Sequence, residues 1–209
     1  MHQVVIALLL PIGLYGLLRL SQFVRYRRST YFSVTKKSFW GLDLGSYGEY
    51  LVYKRLVGFE KRGGRLLFNL YIPKLDGGTT EIDVVLIHPR GLFVFESKNF
   101  SGWIFGNEAH EYWTQTLPSA RGSTAHKERF FNPIRQNTLH VMSLKRVIGE
   151  DTPVWSVVVF SDKCTLKDVT VTEGKPYTVV QLSELSATVF SIAERSGSVA
   201  LSLVFLTHF

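Results

Sequence analysis

The stretch that decides the fold is EIDVVLIHPRGLFVFESK, residues 81–98. Two runs rich in β-branched and aromatic residues flank a turn at Pro89-Arg90-Gly91, which is the pattern of a β-hairpin. Side chains alternate across a strand, so Glu96 and Lys98 project from the same face as the apolar residues before them. The hairpin therefore predicts two opposite charges at the end of an apolar row.

The hairpin turn also predicts where a third charged residue lies. A turn centred near Arg90 pairs positions whose numbers sum to about 180, which brings Asp83 opposite Glu96, Ser97 or Lys98. A slip of one residue would move Asp83 to the other face of the sheet, so the prediction depends on the register. In the favourable register, two carboxylates and one ammonium group converge.

Such a cluster has two interpretations that the residues alone leave open. Two neighbouring carboxylates suit a hard divalent cation such as Mg²⁺, and a lysine beside them can orient an attacking water while the metal polarises a phosphoryl oxygen. Alternatively, Lys98 forms an ordinary exposed ion pair with Asp83 or Glu96.

The remaining pattern indicates one α/β or α+β core, because helices and strands are mixed along the chain. Asn132-Pro133 is a typical helix start, with an N-cap side chain followed by proline. Residues 99–131 are polar, with a turn at Ser101-Gly102 and little periodicity after Trp113, so no strand is expected in this segment. The other predicted elements are a helix at 45–59, strands at 65–72, 154–160 and 177–182, a helix from Asn132 to about Ile148, a short helix at 183–195, and an apolar tail at 198–209 that packs on the core.

Charge and composition exclude several classes of protein. The 209 residues carry a net charge of +7, but the first 30 hold four arginines and no acid, so the body of the chain is only mildly basic. A single cysteine, Cys164, excludes a disulfide framework and a cysteine-based zinc site. The chain contains no G-x-S-x-G motif and no glycine-rich phosphate loop, which argues against a serine hydrolase and an ATPase. The histidines show no metal-ligand spacing and are expected to be non-ligands: His88, His110, His126 and His140.

The amino terminus predicts a membrane anchor. Residues 1–18 contain no Asp, Glu, Lys or Arg, and a helix of this length spans about 27 Å. A transmembrane anchor at 1–24 and a juxtamembrane linker at 25–44 are therefore expected, with a core helix or a cleaved signal peptide as the alternatives. The cations after the apolar run predict a single-pass protein of the cell (inner) membrane, with the N-terminus outside and the remaining residues cytoplasmic.

Four segments, taken in order, resemble the nuclease-related domain (NERD) family of the PD-(D/E)xK nuclease superfamily. They are GSYGEYLVYKRL, EIDVVLIHPRGLFVFESKNFSGWIFG, the later EYW, and FFNPIRQN. The resemblance covers about residues 45–185, with 186–209 left as a C-terminal helix and tail. It implies an α/β restriction-endonuclease-like core, in which helices flank a central mixed sheet.

The resemblance also implies a role for five residues. Asp83 and Glu96 would bind the metal, Glu49 of the first helix would complete the metal shell, Lys98 would be the catalytic lysine, and Gln136 would be the polar residue of the later helix. The implied activity is hydrolysis of phosphodiester bonds with Mg²⁺ (or Mn²⁺), on DNA ahead of RNA. No nucleotide cofactor is expected. The alternative is a membrane-tethered nucleic-acid-binding or regulatory module that keeps the fold without turnover.

Other residues have both a functional and a purely structural interpretation. Trp103 and Trp113 would stack on bases or pack in the core, and the core is favoured. Charged residues along the chain would contact phosphates or remain solvated, and solvation is favoured. They are Lys127, Arg129, Arg135, Lys145 and Arg146.

Overall fold

The computed structural model describes residues 2–41, 43–74, 76–118 and 125–196. The chain divides into two compact units, Met1–Leu42 and Asp43–Phe209. The predicted apolar tail at 198–209 lies outside the described residues.

The first unit is helical and is held together by aromatic rings. It contains helix α1 (His2–Arg27), helix α2 (Thr30–Thr35) and a 3₁₀ turn at Phe39–Gly41. The fully buried Tyr26 donates its hydroxyl hydrogen to the carbonyl oxygen of Lys37 at 2.7 Å. The segment expected to be a linker therefore folds back on the end of α1.

The predicted transmembrane anchor at 1–24 is not supported, although the residues do form a helix. Within the described part of the chain, no helix combines the length and the apolar character needed to cross a bilayer. The localisation that depended on this anchor stays a prediction.

Within its described residues, the second unit contains three helices and nine strands. The helices are α3 (Leu44–Glu60), α4 (Pro133–Ile148) and α5 (Leu185–Arg195). The strands are β1 (Arg65–Pro73), β2 (Thr79–His88), β3 (Gly91–Lys98), β4 (Gly102–Asn107), β5 (Tyr112–Leu117), β6 (His126–Phe131), β7 (Val154–Phe160), β8 (Cys164–Thr170) and β9 (Tyr177–Gln181).

The main sheet has the strand order β1-β2-β3-β7-β9. The pairs β1–β2 and β2–β3 are antiparallel, whereas β3–β7 and β7–β9 are parallel, so the sheet is mixed. The predicted hairpin is confirmed, with His88 opposite Gly91 and Val84 opposite Phe95. The α/β class with a mixed sheet and flanking helices is also confirmed.

Helices cover the main sheet on opposite faces. Leu144 and Ile148 of α4 pack in one cluster with Leu92 and Val94 of β3. Helix α3 lies against the other face, where a Cβ atom added at Gly48 would come within 2.8 Å of the Ser97 hydroxyl oxygen. The lack of a side chain at this position lets α3 approach the end of β3 closely.

A second sheet, with the strand order β6-β5-β4-β8, corrects the expectation that residues 99–131 lack strands. Two of its buried side chains are polar, Gln115 and Thr116, which lie in the same strand as the buried Trp113. Strand β6 is almost entirely exposed. Alternation of apolar and polar residues is therefore absent, and this alternation is the signal on which strand prediction depends.

Helix α4 begins where the sequence predicted and is tied down at its start. The Asn132 side-chain oxygen accepts a hydrogen bond from the Ile134 amide at 2.9 Å, as an N-cap does. The other end of the same fully buried side chain donates to the carbonyl oxygens of His110 at 2.7 Å and Glu108 at 3.1 Å. One residue therefore fixes α4 to the turn between β4 and β5.

Replacing this residue tests its role in the fold. The change Asn132→Ala removes the cap and the hydrogen bonds that the Asn132 amide donates to the β4–β5 turn, so the free energy of unfolding should fall by about 2–4 kcal/mol. Urea denaturation measures this change. The exposed Leu139 of the same helix serves as the control, because Leu139→Ala should shift stability by less than about 0.5 kcal/mol. Equal effects of the two changes would contradict the account.

Candidate active site

The charged cluster lies where strands β2 and β3 part. Their ladder ends at the pair Val84 and Phe95, whereas β3 continues beside β7 through Lys98. The Ser97 amide is consequently free of β2 and donates to the Asp83 carboxylate at 2.9 Å. Because the β2–β3 ladder ends here, the Asp83 carboxylate takes the place of the backbone carbonyl group of β2 that would otherwise accept from Ser97.

Glu96, Lys98 and Gln136 form a continuous polar chain. The Lys98 Nζ atom lies 2.7 Å from Glu96 Oε1 and donates to Gln136 Oε1 at 3.1 Å. Glu96 is only 2% exposed, and the side chain of Lys98 is 18% exposed. The prediction that Glu96 and Lys98 share a face is confirmed, and the structure brings Gln136 of α4 to that face.

Helix α4 is held against this part of the sheet by a buried amide. The Asn137 side chain donates to the Val94 carbonyl oxygen and to the Ser156 hydroxyl, each at 2.9 Å. These bonds tie one position of α4 to both β3 and β7. Because Gln136 is the neighbouring residue, they also fix its height along β3.

Asp83 is electrostatically coupled to its neighbours. Burial is the main cause that raises its pKa, to about 8, and the negative charge of Glu96 raises it further. The charge of Glu49 acts in the same direction, whereas the Ser97 amide and Lys98 lower the pKa. At neutral pH the metal-free site therefore favours a protonated Asp83.

Glu49 approaches the cluster from the other face of the sheet. It lies in the first half of α3 and is buried, with 7% exposure. Its negative charge raises the pKa of Asp83, as a nearby like charge does. The structure thus brings four of the five sequence-predicted residues together at the end of β3: Asp83, Glu96, Lys98 and Gln136. Glu49 acts on Asp83 through its charge.

Glu81 lies on β2 beyond this cluster and has other partners. Asn69 donates its side-chain amide to Glu81 Oε1 at 2.7 Å. A hydrogen bond to Glu81 is also the main cause that raises the pKa of the exposed Tyr71. Glu81 is thus engaged by two residues of β1.

Sequence reasoning missed one residue that contacts the cluster. The buried His140 of α4 places its Nε2 atom 3.3 Å from Glu96 Oε2. Its Nδ1 atom lies 2.9 Å from the Thr80 hydroxyl oxygen. The available signal was helical spacing, because residues four apart on a helix share a face and Gln136 precedes His140 by four positions.

The carboxylates of the cluster offer oxygen ligands to a divalent cation. Within the described residues, no three His, Cys, Asp or Glu side chains come close enough to hold a metal ion by themselves. Mg²⁺ does not require three, because it usually keeps several waters and takes one or two carboxylates. Glu96 Oε2 is buried and lacks a well-formed hydrogen bond, and its two lone pairs have room for one donor and one cation. The residues present therefore fit a hydrated magnesium ion.

Other candidate groups lie outside this cluster. Burial raises the pKa of Cys164 to about 11, so the thiol stays protonated at neutral pH and is a poor nucleophile. Trp113 is buried in the core as favoured, whereas Trp103 is exposed. A cavity of about 700 Å³ between β7, β9 and α5 is lined by Trp155 and Tyr177, and no predicted site residue reaches it.

A buried glutamate, a partly buried aspartate and a lysine lie together on adjoining strands of a mixed sheet, which points to the class of protein. The sequence profile of the nuclease-related domain matches residues 44–161, more than half of the chain, and the chain belongs to this family. The PD-(D/E)xK superfamily is the general context of the family, so the resemblance seen in the sequence is confirmed.

A curated relative extends the comparison. An uncharacterised protein of Bacillus anthracis is 36% identical over 127 residues, which cover 61% of this chain. The match spans 57% of the length of that relative. No solved structure gives a significant match.

The raised pKa of Asp83 makes the stability of the metal-free protein depend on pH. The unfolded carboxyl titrates near pH 4 and the folded one near pH 8, so between these values only the folded state holds the proton. Stability should therefore fall as pH rises, by at most about 1.4 kcal/mol per pH unit. Asp83→Asn mimics the neutral carboxyl and should remove this slope.

Urea unfolding in EDTA at pH 5, 6 and 7 measures the effect. The informative quantity is the difference in unfolding free energy between wild type and Asp83→Asn, which should widen with pH. The exposed Asp168 provides the control, because Asp168→Asn should keep the slope of the wild type. A difference that stays constant from pH 5 to pH 7 would contradict the raised pKa.

Proposed function

We propose that this chain is a metal-dependent nuclease that hydrolyses phosphodiester bonds of DNA. The observation that carries the proposal is the buried Glu96–Lys98 pair beside a second carboxylate, Asp83, at the parting of two strands. Family membership supports the same activity, since the family is described as nuclease-related. Nucleic acid is the partner that follows from it.

The proposed metal ligands are Asp83 and Glu96, assisted by Glu49. These carboxylates repel one another, and a bound cation relieves that repulsion, which accounts for their placement together. When bound, Mg²⁺ or Mn²⁺ supplies Lewis-acid stabilisation of the charge on the phosphate. Asp83 must lose its proton before it can act as a ligand.

Lys98 is the proposed catalytic residue. Its ammonium group is held from two sides by Glu96 Oε1 and Gln136 Oε1, while part of the side chain remains accessible. A fixed cation at this position orients the attacking water and stabilises the negative charge that develops on the phosphate. Gln136 holds the ammonium group in place, since its carbonyl oxygen accepts one of the three lysine hydrogens.

Removing either side-chain group from the site should abolish cleavage. For Lys98→Ala and Asp83→Asn, we expect the rate of cleavage to fall by a factor of about 100 or more. The measurement uses the full chain with labelled single- and double-stranded DNA and RNA, in Mg²⁺, in Mn²⁺ and in EDTA. The exposed Lys167 on β8 supplies the control, and Lys167→Ala should cut as the wild type does.

Three outcomes decide the proposal. Metal-dependent cutting that both site variants lose supports the nuclease, and the substrate that is cut separates DNA from RNA. Variants that cut as fast as the wild type would show that the site lies elsewhere. Salt-dependent binding of nucleic acid by folded protein, without cutting in either metal, would overturn the nuclease in favour of a binding module.

A further inference from the structure

One buried residue of the cluster has no part in the chemistry described above. His140 of α4 is 5% exposed and contacts residues of β2 and β3. Its Nδ1 atom lies 2.9 Å from Thr80 Oγ1, and its Nε2 atom lies 3.3 Å from Glu96 Oε2. A buried histidine that faces a carboxylate on one side and a hydroxyl on the other is constrained in which nitrogen carries the proton.

The partners determine the tautomer. An ionised carboxylate only accepts hydrogen bonds, so the nitrogen that faces Glu96 must carry the hydrogen. In a neutral ring the other nitrogen, Nδ1, is then an acceptor, and the Thr80 hydroxyl donates to it. The reverse tautomer would place the Nε2 lone pair against a negative oxygen 3.3 Å away, which is repulsive.

Two buried polar atoms that face each other indicate a hydrogen bond between His140 and Glu96. Glu96 Oε2 and His140 Nε2 are both buried, and neither has a well-formed hydrogen bond within the described residues. A buried polar atom without a partner costs about 1–3 kcal/mol. The two atoms face each other at 3.3 Å, so a small rotation of the ring or the carboxylate satisfies both.

We propose that His140 is a positioning residue that donates from Nε2 to Glu96 Oε2, with its tautomer set by Thr80. The inference rests on the proposed function, because it gives Glu96 the task of binding a cation. With Lys98 on one oxygen and His140 on the other, the orientation of the carboxylate is fixed. A fixed carboxylate loses less conformational freedom when it binds a cation.

Variants of His140 separate positioning from packing. His140→Leu fills the space without a donor, whereas His140→Gln keeps an N–H donor. Outer partners of a ligand typically change metal affinity by 10–100-fold, so His140→Leu should weaken Mn²⁺ binding by about that factor. His140→Gln should recover part of the loss. Thr80→Val, which keeps the shape and removes the hydroxyl donor, should weaken binding by a smaller factor.

Isothermal titration calorimetry of the full chain with Mn²⁺ gives these affinities. The exposed His126 provides the control, and His126→Gln should bind Mn²⁺ as the wild type does. With Mn²⁺ at saturation, the turnover of His140→Leu should return to within a few-fold of wild type. If His140→Leu binds Mn²⁺ as tightly as the wild type or His140→Gln, His140 only fills space and the proposal is overturned.

A second measurement stays decisive even if the variants fail to fold. The ¹⁵N chemical shifts of the His140 ring in metal-free wild type at pH 8 report which nitrogen is protonated. We expect the proton on Nε2, and a proton on Nδ1 alone would overturn the proposal. If the proposed nuclease function is wrong, the protein binds Mn²⁺ without cleaving nucleic acid, and the tautomer of His140 is unaffected. The two failures are therefore distinguishable.

Discussion

The arrangement around β3 depends on the burial of one carboxylate, Glu96. A charge that is 2% exposed must be compensated, because an isolated carboxylate in the interior is strongly unfavourable. Lys98 of the same strand and His140 of α4 supply that compensation, one at each oxygen. The Asn132 cap and the Asn137 amide hold α4 at the depth that this contact requires.

The sequence predicted the parts of the site that local rules control. Strand alternation placed Glu96 and Lys98 on one face, and the turn chemistry at Pro89–Gly91 set the register that brings Asp83 to Ser97. The start of α4 followed from the N-cap and the proline at the first helical position. Each of these inferences depends on residues that are close together in the chain.

Features that depend on distant contacts were missed or mistaken. The second sheet buries Gln115 and Thr116 and leaves β6 exposed, so its strands carry no apolar periodicity. The contact of His140 with Glu96 joins residues 44 positions apart, and only the packing of α4 on β3 reveals it.

The central claim is that Asp83 and Glu96 bind one divalent cation. The most direct test is anomalous diffraction at the manganese edge from crystals of the full chain grown with Mn²⁺. The account predicts a manganese peak in contact with oxygen atoms of both Asp83 and Glu96. A manganese peak elsewhere, with Lys98 and His140 still enclosing Glu96 and no metal beside Asp83, would contradict it.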